Sequence, residues 1–125
     1  MDNYVLVVDD QPDVRRLIME VLDTIPAAGR EAVNGEQALS IVRESTPRAI
    51  VLDLMMPVMN GFTFLTHLHG EKSSKTIPVI LLSGVAEDGA QIRTLPGVVG
   101  VLKKGSFSIE ELRTMLIAIL ESSTA

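Results

Sequence analysis

The chain has 125 residues, 46% hydrophobic and only 3% aromatic, with 11 basic and 16 acidic side chains for a net charge of -5. That length fits a single domain, residues 1–125, burying roughly two-thirds of its unfolded surface; the negative charge argues against direct binding of nucleic acid or anionic membranes, and the few aromatics against stacking on bases or sugars. With no cysteine there are no disulfides, thiolate metal sites or cysteine nucleophiles; no apolar run nears the ~20 residues of a membrane span, and the first residues lack the pattern of a signal peptide, so a cytoplasmic location is expected.

In chain order, the first element is a strand, Tyr4 to Val8 (YVLVV). It is short, rich in Val and Leu, and does not alternate with polar residues, as strands buried on both faces read. A helix follows, with Val14, Leu17, Ile18, Val21 and Leu22 along one face. Arg30 to Val33 is placed as strand two mainly because a second helix comes next, carrying Ala38, Leu39, Ile41 and Val42 and capped by Asn34 with Gln37. Ala49 to Leu52 is strand three, and Phe62, Phe64, Leu65 and Leu68 give the core face of a third helix. Val79 to Leu82 is strand four. A short fourth helix is placed within about Asp88 to Leu95, weakened by Gly89 and stopped at Leu95-Pro96-Gly97. Val98 to Leu102 is strand five. Ser108 and Glu111 then form a capping-box pattern for a last helix with Ile109, Leu112, Leu116, Ile119 and Leu120 as its stripe.

The alternation βαβαβαβαβα predicts an α/β fold with a parallel sheet, helices on both faces and right-handed crossovers. Five strands suit a flavodoxin-like (βα)5 three-layer sandwich in the order 2-1-3-4-5. Ligands in such sheets sit beyond the carboxyl ends of the strands, where this sequence places Asp9 and Asp10, Asp53, Ser83, and Lys103 and Lys104. A lone acid after a strand is ordinarily a cap or a solvated turn; four neighbouring strands ending in polar or charged residues at the ligand-binding edge make a site. Two carboxylates about 4 Å apart repel by roughly 4 kcal/mol at an effective dielectric near 20. Three cannot all stay ionised without compensating cations, and one lysine is not enough. The oxygen-only donor set, with no histidine or cysteine at these ends, points to Mg²⁺ or Mn²⁺. His67 and His69 fall at the end of the third helix and are read as surface or helix-end residues. A hard metal with a lysine and a hydroxyl suits phosphoryl groups, and a carboxylate such as Asp53 can be the nucleophile.

These residues, over the whole chain, resemble the receiver domains of bacterial two-component response regulators, the CheY-like family. The motifs that carry the resemblance are VLVVDD at Val5 to Asp10, VLDLMMPVMNG at Val51 to Gly61, LLSG at Leu81 to Gly84 and GVLKKG at Gly100 to Gly105. The resemblance implies that Asp53 accepts a phosphoryl group from the phosphohistidine of a sensor histidine kinase or a phosphotransfer protein. It implies Mg²⁺ held by Asp10, Asp53 and the backbone carbonyl of Met55, with Asp9 acting through water. Ser83 and Lys104 would each meet a phosphoryl oxygen; Lys103 is the competing lysine. Pro57 and Gly61 would shape the turn into helix three. Arg15 and Arg16, beside Val14 and Ile18, would face the kinase, and the surface from helix four to helix five would be the output face. The resemblance also implies a protein that promotes its own phosphorylation and dephosphorylation rather than an enzyme, signalling to a downstream protein or to an effector domain beyond residue 125.

Three departures from the family pattern bear on mechanism. Gly105 follows the lysine where many receivers carry a proline after a cis peptide bond, so that feature is not expected. Val101 stands where an aromatic ring often turns inward, so switching is expected to depend on Ser83 and on the loops after strands three and four. Met55 and Val85 are apolar at positions that border the hydrolytic water's path, which predicts slow loss of the phosphoryl group. Three rival functions fit the residues less well. An aspartyl-phosphate phosphatase would need an acid at Met55, and a flavin module would need a glycine- and hydroxyl-rich turn where DDQPDV stands. A pseudo-receiver acting only by protein contact would have lost pocket residues that are present here.

Overall fold

The computed structural model describes residues 3–56, 58–70, 77–84, 95 and 97–122. In chain order these form β1 (Tyr4–Val8), α1 (Pro12–Leu22), β2 (Ala28–Ala32), α2 (Gly35–Glu44), β3 (Ala49–Asp53), α3 (Gly61–His69), β4 (Val79–Ser83), β5 (Val98–Lys103) and a C-terminal helix (Ile109–Ser122). The strands make one parallel sheet in the order β2-β1-β3-β4-β5, as the alternation of elements predicts. The fourth helix placed around Asp88 to Leu95 lies almost wholly outside the described residues, as do Pro57 and Val85.

Every residue of β1, β3 and β4 is buried, which is why their sequences do not alternate: each face of the sheet is covered. Leu6, Val8, Ile50, Leu52, Val79 and Leu81 pack with α2 and α3 on one side. Val5, Val7, Ala49, Val51, Ile80 and Leu82 pack with α1 and the C-terminal helix on the other. Each pair of neighbouring strand residues therefore serves two separate cores.

The edge strands differ from their sequence reading. β2 begins at Ala28, two residues before the expected start, and ends before Val33, which is 43% exposed. Its extent follows the register Tyr4↔Ala28 to Val8↔Ala32 rather than an apolar run, because an edge strand is defined by pairing on one side only. β5 carries a bulge: Val79 faces Val98 while Ile80 faces Gly100, leaving Val99 as the extra residue, turned to solvent.

Helix starts follow from local chemistry. The Asn34 side chain accepts from the Gln37 amide at 2.8 Å, and the Gln37 side chain accepts in turn from the Val33 amide at 2.7 Å. Ser108 and Glu111 exchange reciprocal side-chain to backbone bonds of 3.0 and 3.4 Å. Two stripe assignments are corrected. Phe62 and Ile109 are exposed, at 42% and 49%; each lies in the first turn of its helix, where the chain is only beginning to approach the sheet. No helix among the described residues is long and apolar enough to cross a membrane.

Candidate functional site

The carboxyl edge of the sheet gathers the chemistry. Asp53 is the last residue of β3, Ser83 the last of β4 and Lys103 the last of β5, while Asp9 follows β1 directly. Asp9, Asp53 and Ser83 are the buried polar residues of the described structure. Asp10 is exposed beside them, and one oxygen from each of Asp9, Asp10 and Asp53 lies within 4.8 Å of the others.

Asp53 uses both carboxylate oxygens. Oδ1 accepts from the Met55 amide at 3.1 Å, and Oδ2 accepts from Lys104 Nζ at 2.7 Å. The same ammonium reaches Asp9 Oδ1 at 3.3 Å. Lys104 thus lies between the two buried acids, whereas Lys103, paired with Ser83 in the sheet, is exposed. The Lys104 amide donates to the Ser83 carbonyl at 2.7 Å, fixing the turn that carries the ammonium. Gly105 follows with φ +91°, a conformation closed to proline and open to glycine; no cis peptide bond occurs among the described residues.

Asp9 is the strained member of the group. Its Oδ1 also accepts from the Gln11 amide at 2.8 Å. Its Oδ2 lies 3.2 Å from Lys104 Nζ, close enough for charge attraction but off the hydrogen-bond direction, and no donor among the described residues reaches it. Burial pushes the Asp9 carboxyl above the ordinary carboxylate range; the Gln11 amide opposes this, the charge of Asp53 adds to it, and Lys104 pulls back. Burial acts on the Lys104 ammonium in the opposite sense, but its hydrogen bond to Asp53 and the charges of both acids outweigh that and hold it above the ordinary lysine value.

An orphaned buried oxygen, three converging carboxylates and a single ammonium form a donor set that fits a hard divalent cation. Asp9, Asp10 and Asp53 could supply carboxylate oxygens to it. Ser83 donates its hydroxyl to the Gly84 carbonyl at 3.1 Å. Met55, whose amide meets Asp53, is 63% exposed. Gly61 lets the loop after β3 close, since a Cβ there would stand 2.8 Å from Leu54 Cα and 2.9 Å from the Asp53 carbonyl. His67 is exposed on α3.

Arg15 is where the sequence reading and the structure part. Its side chain is only 14% exposed; Nε donates to Glu31 at 2.9 Å and a terminal nitrogen to the Asp9 carbonyl at 2.7 Å. It is therefore not a free docking residue, whereas Arg16, 72% exposed, does face solvent. The signal that could have found it is positional. A cation in the fourth residue of a helix opposes the helix dipole, and calls for an acceptor nearby.

A doubly wound sheet with three acids and a lysine at its carboxyl edge defines a class, and comparison with known sequences names it. The family model for the response regulator receiver domain matches residues 5–117. The chain belongs to that family. It is 42% identical over 93 residues to a protein-glutamate methylesterase/protein-glutamine glutaminase of Treponema denticola, covering 73% of this chain and 24% of that protein. It is 35% identical over 88 residues to the transcriptional regulatory protein SrrA of Staphylococcus aureus, covering 70% of this chain and 35% of that one. Among solved structures, the receiver domain of Francisella response regulator 1452 superposes with a TM-score of 0.83 at 28% identity, covering 98% of this chain and 99% of that one. The chain spans about a quarter of the length of the methylesterase relative and about a third of the regulator.

Proposed function

We propose that this receiver accepts a phosphoryl group on Asp53 from the phosphohistidine of a sensor histidine kinase or phosphotransfer protein, in a reaction that needs Mg²⁺ or Mn²⁺, and passes the change to a protein partner or attached effector. The single observation that carries the reading is the Lys104 ammonium held between two buried carboxylates, 2.7 Å from Asp53 and 3.2 Å from Asp9, with one Asp9 oxygen left without a donor.

In this reading an Asp53 oxygen attacks phosphorus, the bond from phosphorus to the imidazole nitrogen breaks, and the imidazole leaves with the electron pair and takes up a proton. Asp10, Asp53 and the Met55 carbonyl would hold the cation, and Asp9 would act through water. When bound, the cation neutralises charge on the carboxylates and on the incoming phosphoryl oxygens. Lys104 exchanges its bond to Asp53 for one to a phosphoryl oxygen. Ser83 turns its hydroxyl from Gly84 toward another, and this rearrangement starts the signal. The exposed, apolar Met55 beside the acceptor favours slow hydrolysis of the product.

The test is incubation with acetyl phosphate and Mg²⁺ followed by intact mass. One added phosphoryl group, lost in Asp53→Ala and without divalent cation, is the expected outcome. A wild-type chain whose mass never changes would leave protein contact alone as the function.

A further inference from the structure

The turn between β1 and α1 carries two of the three acids, yet the start of α1 provides no side-chain cap to hold it. Gln11, the N-cap of α1, makes no side-chain capping bond, and Pro12 at the first helical position has no amide to offer. Besides the Gln11 amide on Asp9 Oδ1 at 2.8 Å, two further contacts hold the turn. The Asp9 amide donates to the Ala32 carbonyl at 3.1 Å, and the Arg15 guanidinium donates to the Asp9 carbonyl at 2.7 Å. That carbonyl belongs to the peptide joining Asp9 to Asp10, so the plane that sets the direction of Asp10 is gripped by Arg15. The guanidinium is itself fixed by Glu31, the fourth residue of β2, at 2.9 Å. Its planar fork serves both acceptors at once, which a single lysine ammonium on a flexible stem reproduces poorly.

We propose that Arg15, oriented by Glu31, is a positioning residue for the acid pair: it locks the Asp9–Asp10 peptide so that the carboxylates meet a divalent cation already arranged. The inference rests on the metal-dependent reading above. Groups that orient metal ligands without touching the metal change affinity by about 10- to 100-fold when removed, so a lost grip on this peptide registers as weaker metal binding before anything else.

The experiment is calorimetric titration of the full chain with Mg²⁺, alongside amide spectra of the metal-free protein. Arg15→Met keeps the length of the side chain and removes the fork; its dissociation constant for Mg²⁺ is expected to rise about tenfold, and the Gln11 amide, which reports the Asp9 turn, to shift before any metal is added. Arg15→Lys, able to satisfy one acceptor, falls between. Glu31→Gln, at a half-exposed position that threatens folding little, weakens Mg²⁺ by about threefold and decides the matter if Arg15→Met does not fold. A purely structural role would lower thermal stability while leaving the dissociation constants within about twofold of wild type, and that result overturns the proposal. A wild-type chain that binds no Mg²⁺ overturns the metal-dependent reading, and this proposal with it; wild-type binding that the variants match overturns this proposal alone.

Discussion

The two ends of the sheet solve the same problem, a charged group at the margin of an apolar core, in opposite ways. At the amino end, Arg48 donates to Asn3 Oδ1 at 2.9 Å and to the Leu120 carbonyl at 2.6 Å, where the C-terminal helix runs out of amide donors of its own. The Tyr4 hydroxyl donates to the Ser45 carbonyl, and Arg30 stacks 5.4 Å over the Tyr4 ring. In these contacts the two cations meet a side-chain oxygen, a carbonyl and a ring face, and the ends of several elements are tied together. At the carboxyl end, two buried anions share one ammonium and an oxygen has no donor. The first arrangement is complete without any ligand, while the second is relieved only by more positive charge. The end left under electrostatic load is the one beyond which ligands bind in such sheets.

The sharpest way to break this comparison is to remove the shared cation. Lys104→Met leaves both buried acids uncompensated and is expected to lower the unfolding free energy in urea by ~3 kcal/mol; a loss under ~1 kcal/mol would mean that the carboxyl end is not under electrostatic load. At the other end, Arg48→Ala should cost ~2 kcal/mol through its lost charged hydrogen bonds, while phosphoryl incorporation by mass stays at the wild-type level. Loss of incorporation in that variant would show that the two ends are coupled.

Asp9→Asn tests the load from the anionic side. Because the folded-state pKa of Asp9 is raised, its ionised form is disfavoured by the fold. It subtracts stability at neutral pH, and that penalty fades as pH falls through the raised pKa. The variant should therefore be more stable than wild type at neutral pH without metal, with the gap closing in acid, and it should lose the thermal shift that Mg²⁺ is expected to confer on wild type. A gap that widens in acid would contradict the sign of the shift. The smallest effect is expected at Val58, a β-branched residue held at φ +69° and 77% exposed. Val58→Gly should raise stability by ~1 kcal/mol by removing backbone strain beside the site, measurable as a higher melting temperature.

Much of this was legible in the residues. The unbroken apolar runs of β1, β3 and β4 announce strands covered on both faces, and the alternation with helices leads to the strand order observed. The Ser108–Glu111 box marks the start of the last helix. The strand-ending acids are visible as soon as the strands are. Less legible were β2, whose sequence AGREA carries no apolar pattern, and the Asn60 side chain that caps α3 by accepting from Thr63 at 2.9 Å. The outward phase of Phe62 and Ile109 was also hidden, because a helical stripe shows that a face is apolar but not where along it the contact with the sheet begins.

By itself, the order of residues determined the class of fold, the edge on which the polar groups would gather, and the hard-oxygen character of the donor set. These depend on local periodicity and on side-chain chemistry, which neighbours in sequence already express. Tertiary structure alone decided which of two adjacent aspartates is buried with an unpaired oxygen, and that Arg15 turns inward to Glu31 while Arg16 faces water; it also sets Lys104, the lysine the resemblance prefers, against the acids. Neighbouring residues at the end of a strand point in different directions, so their roles are assigned by register and by what the adjacent elements bring within about 3 Å.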